Sequence, residues 1–347
     1  MTTIIFIPVQ PSEQREKSRS WKFHFIKKGD NNLMANYILK RLLSVIPVLF
    51  IVSVVVFFII HLTPGDPAAV MLGDQATEEQ LDEVREQLGL NQPIYIQYFS
   101  WIANVLQGNL GFSYFMNEPV LSSIFEHLQP TISLAILAEI FAILLAIPFG
   151  IIAAKRKGTA VDQTFMGFSL LGISVPSFLL GLILILVFGV HFALLPVAGY
   201  MPLSAGLVEH LRYLILPAIA LGTMQAALIA RMTRASMIEI YELNFVKAIR
   251  AKGIKEVVLT VKHVFRNALI PIITVIGQTL GTLIAGAAVV ETVFNIPGIG
   301  QLILNSVERR DYSVIQGSIL FITCSYIFIN LVIDLLYGLI DPRVRLK

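Results

Sequence analysis

The sequence predicts an all-α membrane protein with six transmembrane helices, and three observations carry that reading. The chain is 56% hydrophobic and 14% charged, with a mean hydropathy of +0.75, far from the balance of a water-soluble domain. Six stretches are apolar over lengths that suffice to cross roughly 30 Å of hydrocarbon as helices. Finally, the positive charge is concentrated in alternate connections between those stretches, which orients them.

The spans are read at 42–62, 132–153, 165–190, 214–230, 269–290 and 314–340. With both termini inside, the inner segments hold 22 of the 26 Lys and Arg residues. Positive charge is retained on the cytoplasmic side, so the topology is N-in and C-in. Residues 1–33 are polar and mixed in charge, without periodicity, and lack the continuous apolar region of a cleavable signal. They read as a weakly ordered extension or as a start upstream of the natural one at Met34, where Lys40 and Arg41 already lead into the first span. Residues 34–131 comprise that span and the largest loop, and residues 132–347 hold the other five spans.

The large loop is acidic, with nine Asp or Glu residues against Arg85. Thr77-Glu-Glu-Gln80 is a capping box, followed by Leu81, Val84 and Leu88 at helical spacing until Gly89. Pro93 opens a second amphipathic stretch carrying Ile94, Tyr98, Trp101 and Val105. Such outer helices either pack as a lid on the spans or offer a docking surface to an extracytoplasmic protein.

Catalysis and cofactor binding find no support. The chain lacks the G-x-x-x-x-G-K-[ST] loop that cradles ATP phosphates and the H-E-x-x-H zinc pattern. Its six histidines are scattered, so no metal site is expected. Cys324 is the sole cysteine, which excludes an intramolecular disulfide. The net charge of +3 reflects the inner loops and does not point to nucleic acid. Glu139 and Asp334 fall inside spans, where an acid must face protein or water. They are read as helix-interface groups, with a proton relay in an ion-coupled transporter as the reading from a different class.

Two segments stand out as candidate sites. Residues 231–268 hold eight Lys or Arg against three Glu. Within them Tyr241-Glu-Leu-Asn-Phe-Val-Lys-Ala-Ile-Arg-Ala-Lys-Gly253 reads as a helix ended by glycine, before a second helix returns to the membrane. A cytoplasmic helix-Gly-helix in a polytopic protein is a surface for a partner. The fifth span carries Gln278, Thr279 and Thr282 beside Gly277-x-x-x-Gly281. The glycines allow close helix packing, while the amide and hydroxyls suit a pathway for a polar solute. Both readings can hold on different faces.

Across most of residues 34–347 the chain resembles the membrane-spanning permeases of ATP-binding-cassette importers, in the branch for dipeptides, oligopeptides, nickel and glutathione. The resemblance is carried by Tyr37-Ile-Leu-Lys-Arg-Leu-Leu43, Leu88-Gly-Leu-Asn-Gln-Pro93, Gly108-Asn-Leu-Gly-Phe-Ser113 and Gly172-Ile-Ser-Val-Pro-Ser-Phe178. It continues through Arg231-Met-Thr-Arg-Ala-Ser-Met237, His263-Val-Phe-Arg-Asn-Ala268, Asn295-Ile-Pro-Gly-Ile-Gly300 and Arg310-Asp-Tyr312. It implies the type I importer fold and an ATPase-coupling segment at Phe245, Lys247, Ala248, Ile249, Arg250 and Gly253. There Lys247 stands where the generic signature has glutamate. It also implies a second permease subunit, cytoplasmic ATP-binding subunits and an extracytoplasmic solute-binding protein, with lipid around the spans. The implied cargo is a di- or oligopeptide, with nickel or glutathione as alternatives.

Because orientation is already set by Lys40 and Arg41, a chain beginning at Met34 is expected to insert, assemble and transport like the full chain. Uptake compared at equal membrane expression checks this.

Overall fold

The computed structural model describes residues 30–62, 68–69, 76–87, 89–113 and 115–340. The greater part of the 1–33 extension and the residues after 340 lie outside them. Helix α1 is Asp30–Leu62. The loop that follows contains α2, Glu78–Gln87, and α3, Ile94–Leu106. The capping box forms as read: the Thr77 N–H donates to Gln80 Oε1 at 3.0 Å and the Gln80 N–H to Thr77 Oγ1 at 3.4 Å. Gly89, at φ +67°, takes the left-handed turn after α2. A two-residue hairpin of β1, Phe112–Ser113, and β2, Glu118–Pro119, then leads into α4, Val120–Lys155.

Helix α4 starts well before the expected second span, with Pro130 inside it. Its first turns lie outside the apolar stretch on which the span was read, so hydropathy did not include them. Next comes α5, Ala160–Ser174, and then α6, Ser177–Leu184 with a π-helical continuation Ile185–His191. These two occupy the third predicted span, which is bent by 98° rather than straight. Pro176 has no N–H to give and drives Val175 out of helical geometry, to φ −86° and ψ 119°. Helix α7 is Leu207–Glu242, and α8 is the short helix Asn244–Ala251. Helix α9 runs from Glu256–Val258 through a π-helical stretch, Leu259–Phe265, into Arg266–Gly286. The chain closes with α10, Ala288–Val293, α11, Ile299–Arg309, and α12, Tyr312–Ile340.

Among the described residues, five helices are long and apolar enough to cross a membrane, and the α5–α6 pair is a sixth, bent candidate. Helices α4 and α7 form the centre. At 36 residues each they reach about 54 Å, well past the hydrocarbon thickness: α4 has its extra turns before the expected span, and α7 runs on past it at the basic end. Small residues bring their backbones together. A Cβ on Gly222 would lie 2.5 Å from the Ala138 carbonyl oxygen, and one on Gly150 would lie 2.6 Å from Thr233 Cβ. These contacts keep the same sequence offset along both helices, so the two run parallel. The chain between them must therefore return to the end where α4 began.

Polar side chains pin this bundle at both ends. At the basic end the Arg234 guanidinium of α7 grips Asp162 of α5 through Nε at 2.5 Å and Nη2 at 2.7 Å. At the opposite end Ser113 Oγ donates to Asp311 Oδ2 at 2.6 Å, joining the hairpin to the start of α12 across 198 residues. Gln316 Nε2 of α12 donates to the carbonyls of Val56 and Phe57, which holds α1. The buried Glu291 carboxylate of α10 accepts from Thr131 Oγ1 of α4 at 2.7 Å and from the Gln301 N–H of α11 at 3.0 Å.

Since Gly222 faces backbone, Gly222→Ala is expected to destabilise the chain by about 1–3 kcal/mol through overpacking. Gly167→Ala, where a Cβ would meet nothing within 4 Å, is expected to be neutral. Monodispersity of the detergent-purified protein after graded heating distinguishes them.

Candidate functional site

The basic segment builds a compact platform at the end of α4 and α7. Helix α7 stops at Glu242 because Leu243 turns extended, at φ −69° and ψ 144°. Helix α8 then runs to Ala251, and Gly253 turns the chain at φ +76°. That left-handed geometry disfavours residues with a Cβ and suits glycine. Two ion pairs brace the turns: Lys157 Nζ meets Glu242 Oε1 at 2.7 Å, and Arg250 Nη2 meets Glu256 Oε1 at 2.7 Å. The hydrogen bond it donates to Glu256 holds the Arg250 guanidinium further in its charged form. Both pairs are exposed, so they guide geometry more than they add stability. Tyr241 and Thr260 share a hydroxyl hydrogen bond of 2.8 Å between α7 and the π-helical start of α9.

Helix α8 is fixed through one side. Val246 is fully buried in a cluster with Met237, Leu259, Val264 and Ala154, and Ile249 packs beside it. Phe245 and Ala248, three residues apart and hence on one face, are exposed together with Lys247, Arg250 and Gly253. Five of the six residues expected to make the coupling contact thus lie open, and Ile249 is half-buried as part of the footing. The sequence reading missed Val246, the residue that seats the helix. Its place among apolar residues at helical spacing was the available signal. It missed the Asp162–Arg234 pair too, although Arg234 lies inside the Arg231–Met237 segment.

Helix α9 divides its polar and small residues among three faces. Gly277 and Gly281 face α12, where a Cβ would overlap Ile333 or press on Tyr326. Thr279 is buried and donates to Glu139 Oε1 of α4 at 2.9 Å. Gln278 and Thr282 are exposed. The close helix contact expected of the two glycines is therefore made, with α12. Of the three pathway candidates, Thr279 is engaged between helices and the other two are open. Glu139 lies at a helix interface, bonded to a neutral hydroxyl. The side chain of Asp334 lies outside the described residues.

The comparisons with known proteins agree with this architecture. A family model described as "Binding-protein-dependent transport system inner membrane component" matches residues 146–346. A model for the N-terminal part of such membrane components matches residues 34–135. A probable peptide ABC transporter permease protein, y4tP, of Sinorhizobium fredii is 43% identical over 312 residues, covering 90% of this chain and all of that relative. The glutathione transport system permease protein GsiC of Escherichia coli is 43% identical over 314 residues, with the same coverage. Two family models in sequence along the chain, and full-length relatives at this identity, place it: the chain belongs to the binding-protein-dependent transport system inner membrane components, as a multi-pass permease subunit of an ATP-binding-cassette importer.

Proposed function

We propose that this permease carries di- or oligopeptides across the membrane, delivered by an extracytoplasmic solute-binding protein and driven by cytoplasmic ATPases. A second permease subunit completes the pathway, and lipid covers the apolar outer faces, such as Phe50 and Ile51 of α1, each about 60% exposed. The chain crosses six times, N-in and C-in. The parallel run of α4 and α7 supports this, because it needs the bent α5–α6 pair to return across the membrane. The excess of Lys and Arg at the α8 end supports assigning that end to the cytoplasm.

The observation that carries the reading is α8. It is a short helix outside the spans, seated by Val246 and Ile249, with Phe245 and Ala248 open on the face turned from the bundle. The Arg250–Glu256 ion pair ties it to α9, the single residue Leu243 joins it to α7, and the Tyr241–Thr260 bond holds those two helices together. A push on that face thus reaches two spans at once, as rigid-body coupling between an ATPase and a pathway requires. The relatives named for peptides and for glutathione share the same identity to this chain. Glutathione, itself a tripeptide, is therefore the second reading. Nickel remains the further alternative from the sequence pattern, and an ion-coupled carrier is the reading from a different class.

Gly253→Val is expected to leave insertion and assembly intact but to reduce uptake about tenfold or more relative to ATP hydrolysis, since a β-branched residue resists φ +76°. Normal uptake per ATP in that variant would remove α8 and its turn from the coupling role. In a Cys324→Ser background, Gln278→Cys and Thr282→Cys are expected to react with a water-soluble thiol reagent in at least one nucleotide state of the complex. Thr279→Cys is expected to react slowest of the three. Protection of all three in every state would leave these residues to helix packing.

A further inference from the structure

Glu291 has no role in the sequence patterns discussed so far, yet it is fully buried and holds three elements together. It projects from α10 into the start of α11, the end we assign to the outside. Thr131 Oγ1 of α4 donates to Oε1 at 2.7 Å, the Gln301 N–H donates to Oε2 at 3.0 Å, and the Gly300 N–H adds a further bond. Thr131 Oγ1 in turn accepts the Ile299 N–H at 2.8 Å. The first N–H groups of a helix have no partner within it. Here those of Ile299, Gly300 and Gln301 all end on one carboxylate and one hydroxyl, contributed by two other helices.

The neighbouring glycines follow from the same arrangement. A Cβ on Gly298 would overlap the Glu291 carboxyl group, and one on Gly300 would overlap the backbone of Ala288 in α10. The Asn295-Ile-Pro-Gly-Ile-Gly300 segment is thus shaped around this side chain. The apolar and small residues that seat α11 are Ile299, Leu302 and Ser306, while Leu304 and Val307 are exposed. Without Glu291 the polar connection of this helix to α4 is cut to the Ile299–Thr131 bond alone, and without the Thr131 hydroxyl both bonds to α4 are lost.

We propose that Glu291 is a positioning residue, which ties the α10–α11 hairpin to α4 so that the outer closure of the pathway moves with α4 as one body. The tie rests on acceptor geometry. Burial pushes the Glu291 carboxyl above the ordinary glutamate range, while its hydroxyl and N–H donors pull it back. An amide of the same shape keeps one oxygen to accept the α11 N–H groups and can donate its NH2 to Thr131 Oγ1, so it is a suitable replacement, and a truncated side chain is not. The link to pathway closure rests on the importer reading above; the tie itself does not.

The test uses the full complex of permeases, ATPases and binding protein in lipid nanodiscs. Spin labels are placed at Ile136→Cys on α4 and Val307→Cys on α11, in a Cys324→Ser background; the two sites are 49% and 53% exposed. The parent is expected to give one narrow distance distribution that is the same with and without trapped ATP. Glu291→Ala and Thr131→Val are expected to broaden it and to lower the stimulation of ATP hydrolysis by a tripeptide-loaded binding protein about tenfold. Glu291→Gln and Thr131→Ser are expected to restore both readouts. Narrow, parent-like distances in Glu291→Ala and Thr131→Val would overturn the proposal. So would failure of all four variants to assemble, which would make the bridge a folding requirement only. If the parent complex shows no stimulation at all, the peptide reading fails, while the distances still decide the role of Glu291.

Discussion

The close parallel approach of α4 and α7 is the constraint on which the remainder is built. Gly150 and Gly222 let each helix rest on the backbone of the other, a contact that gains dispersion energy without needing the hydrophobic effect, which lipid does not supply between spans. Once these two helices are fixed, α5 is set against α7 through Asp162 and Arg234. Helix α9 is set against α4 through Thr279 and Glu139, and α10 and α11 through Thr131 and Glu291. The platform that carries α8 is built at the basic end of the same pair, where α7 runs on past its expected span.

Buried polar groups here follow one economy of means. Asp311, Glu139 and Glu291 each hydrogen-bond a hydroxyl, from Ser113, Thr279 and Thr131. Two of them also take N–H groups at helix starts, the Val314 N–H for Asp311 and the Gln301 N–H for Glu291. An acid partnered this way avoids exposing charge to hydrocarbon and needs no buried cation. Each such bond is worth about 0.6–2 kcal/mol between membrane helices, a modest figure. Their value is directional: they specify which helix meets which, where apolar contact alone would allow sliding. Asp162, near the basic end, is the one discussed here that takes a guanidinium instead.

Hydropathy and charge made the spans, the helix-Gly-helix at 244–253 and the outer helices legible, because those signals are local. The capping box at Thr77, the turn at Gly89 and the glycine face of α9 were equally readable. Less legible was anything that depends on an approach between distant segments. The start of α4 at Val120 lay hidden, because its apolar residues serve a protein core, where hydropathy over a long window is diluted. Pro176 marked an irregularity, but the size of the bend depends on what α5 and α6 each pack against. Of the pathway residues, sequence listed Gln278, Thr279 and Thr282 together, and only the helical phase set by Gly277 and Gly281 separates Thr279 from the others. Val246 and Glu291 share that character: each acts through neighbours that periodicity does not name.

The bend at Val175 and Pro176 divides the α5–α6 segment between two loyalties. Helix α5 is clamped to the lower part of α7 by a bidentate ion pair. Helix α6 presents Gly181 to the ring of Phe294, just beyond α10, so closely that a Cβ would crowd it. The α5 half of this segment is thus fastened near the platform under α8, and the α6 half abuts the hairpin that Glu291 holds. Any relative movement of the two ends of the molecule is met, in this segment, by a two-residue break rather than by a continuous helix. A straight span would have to bend or slide to allow the same displacement; this one is already jointed.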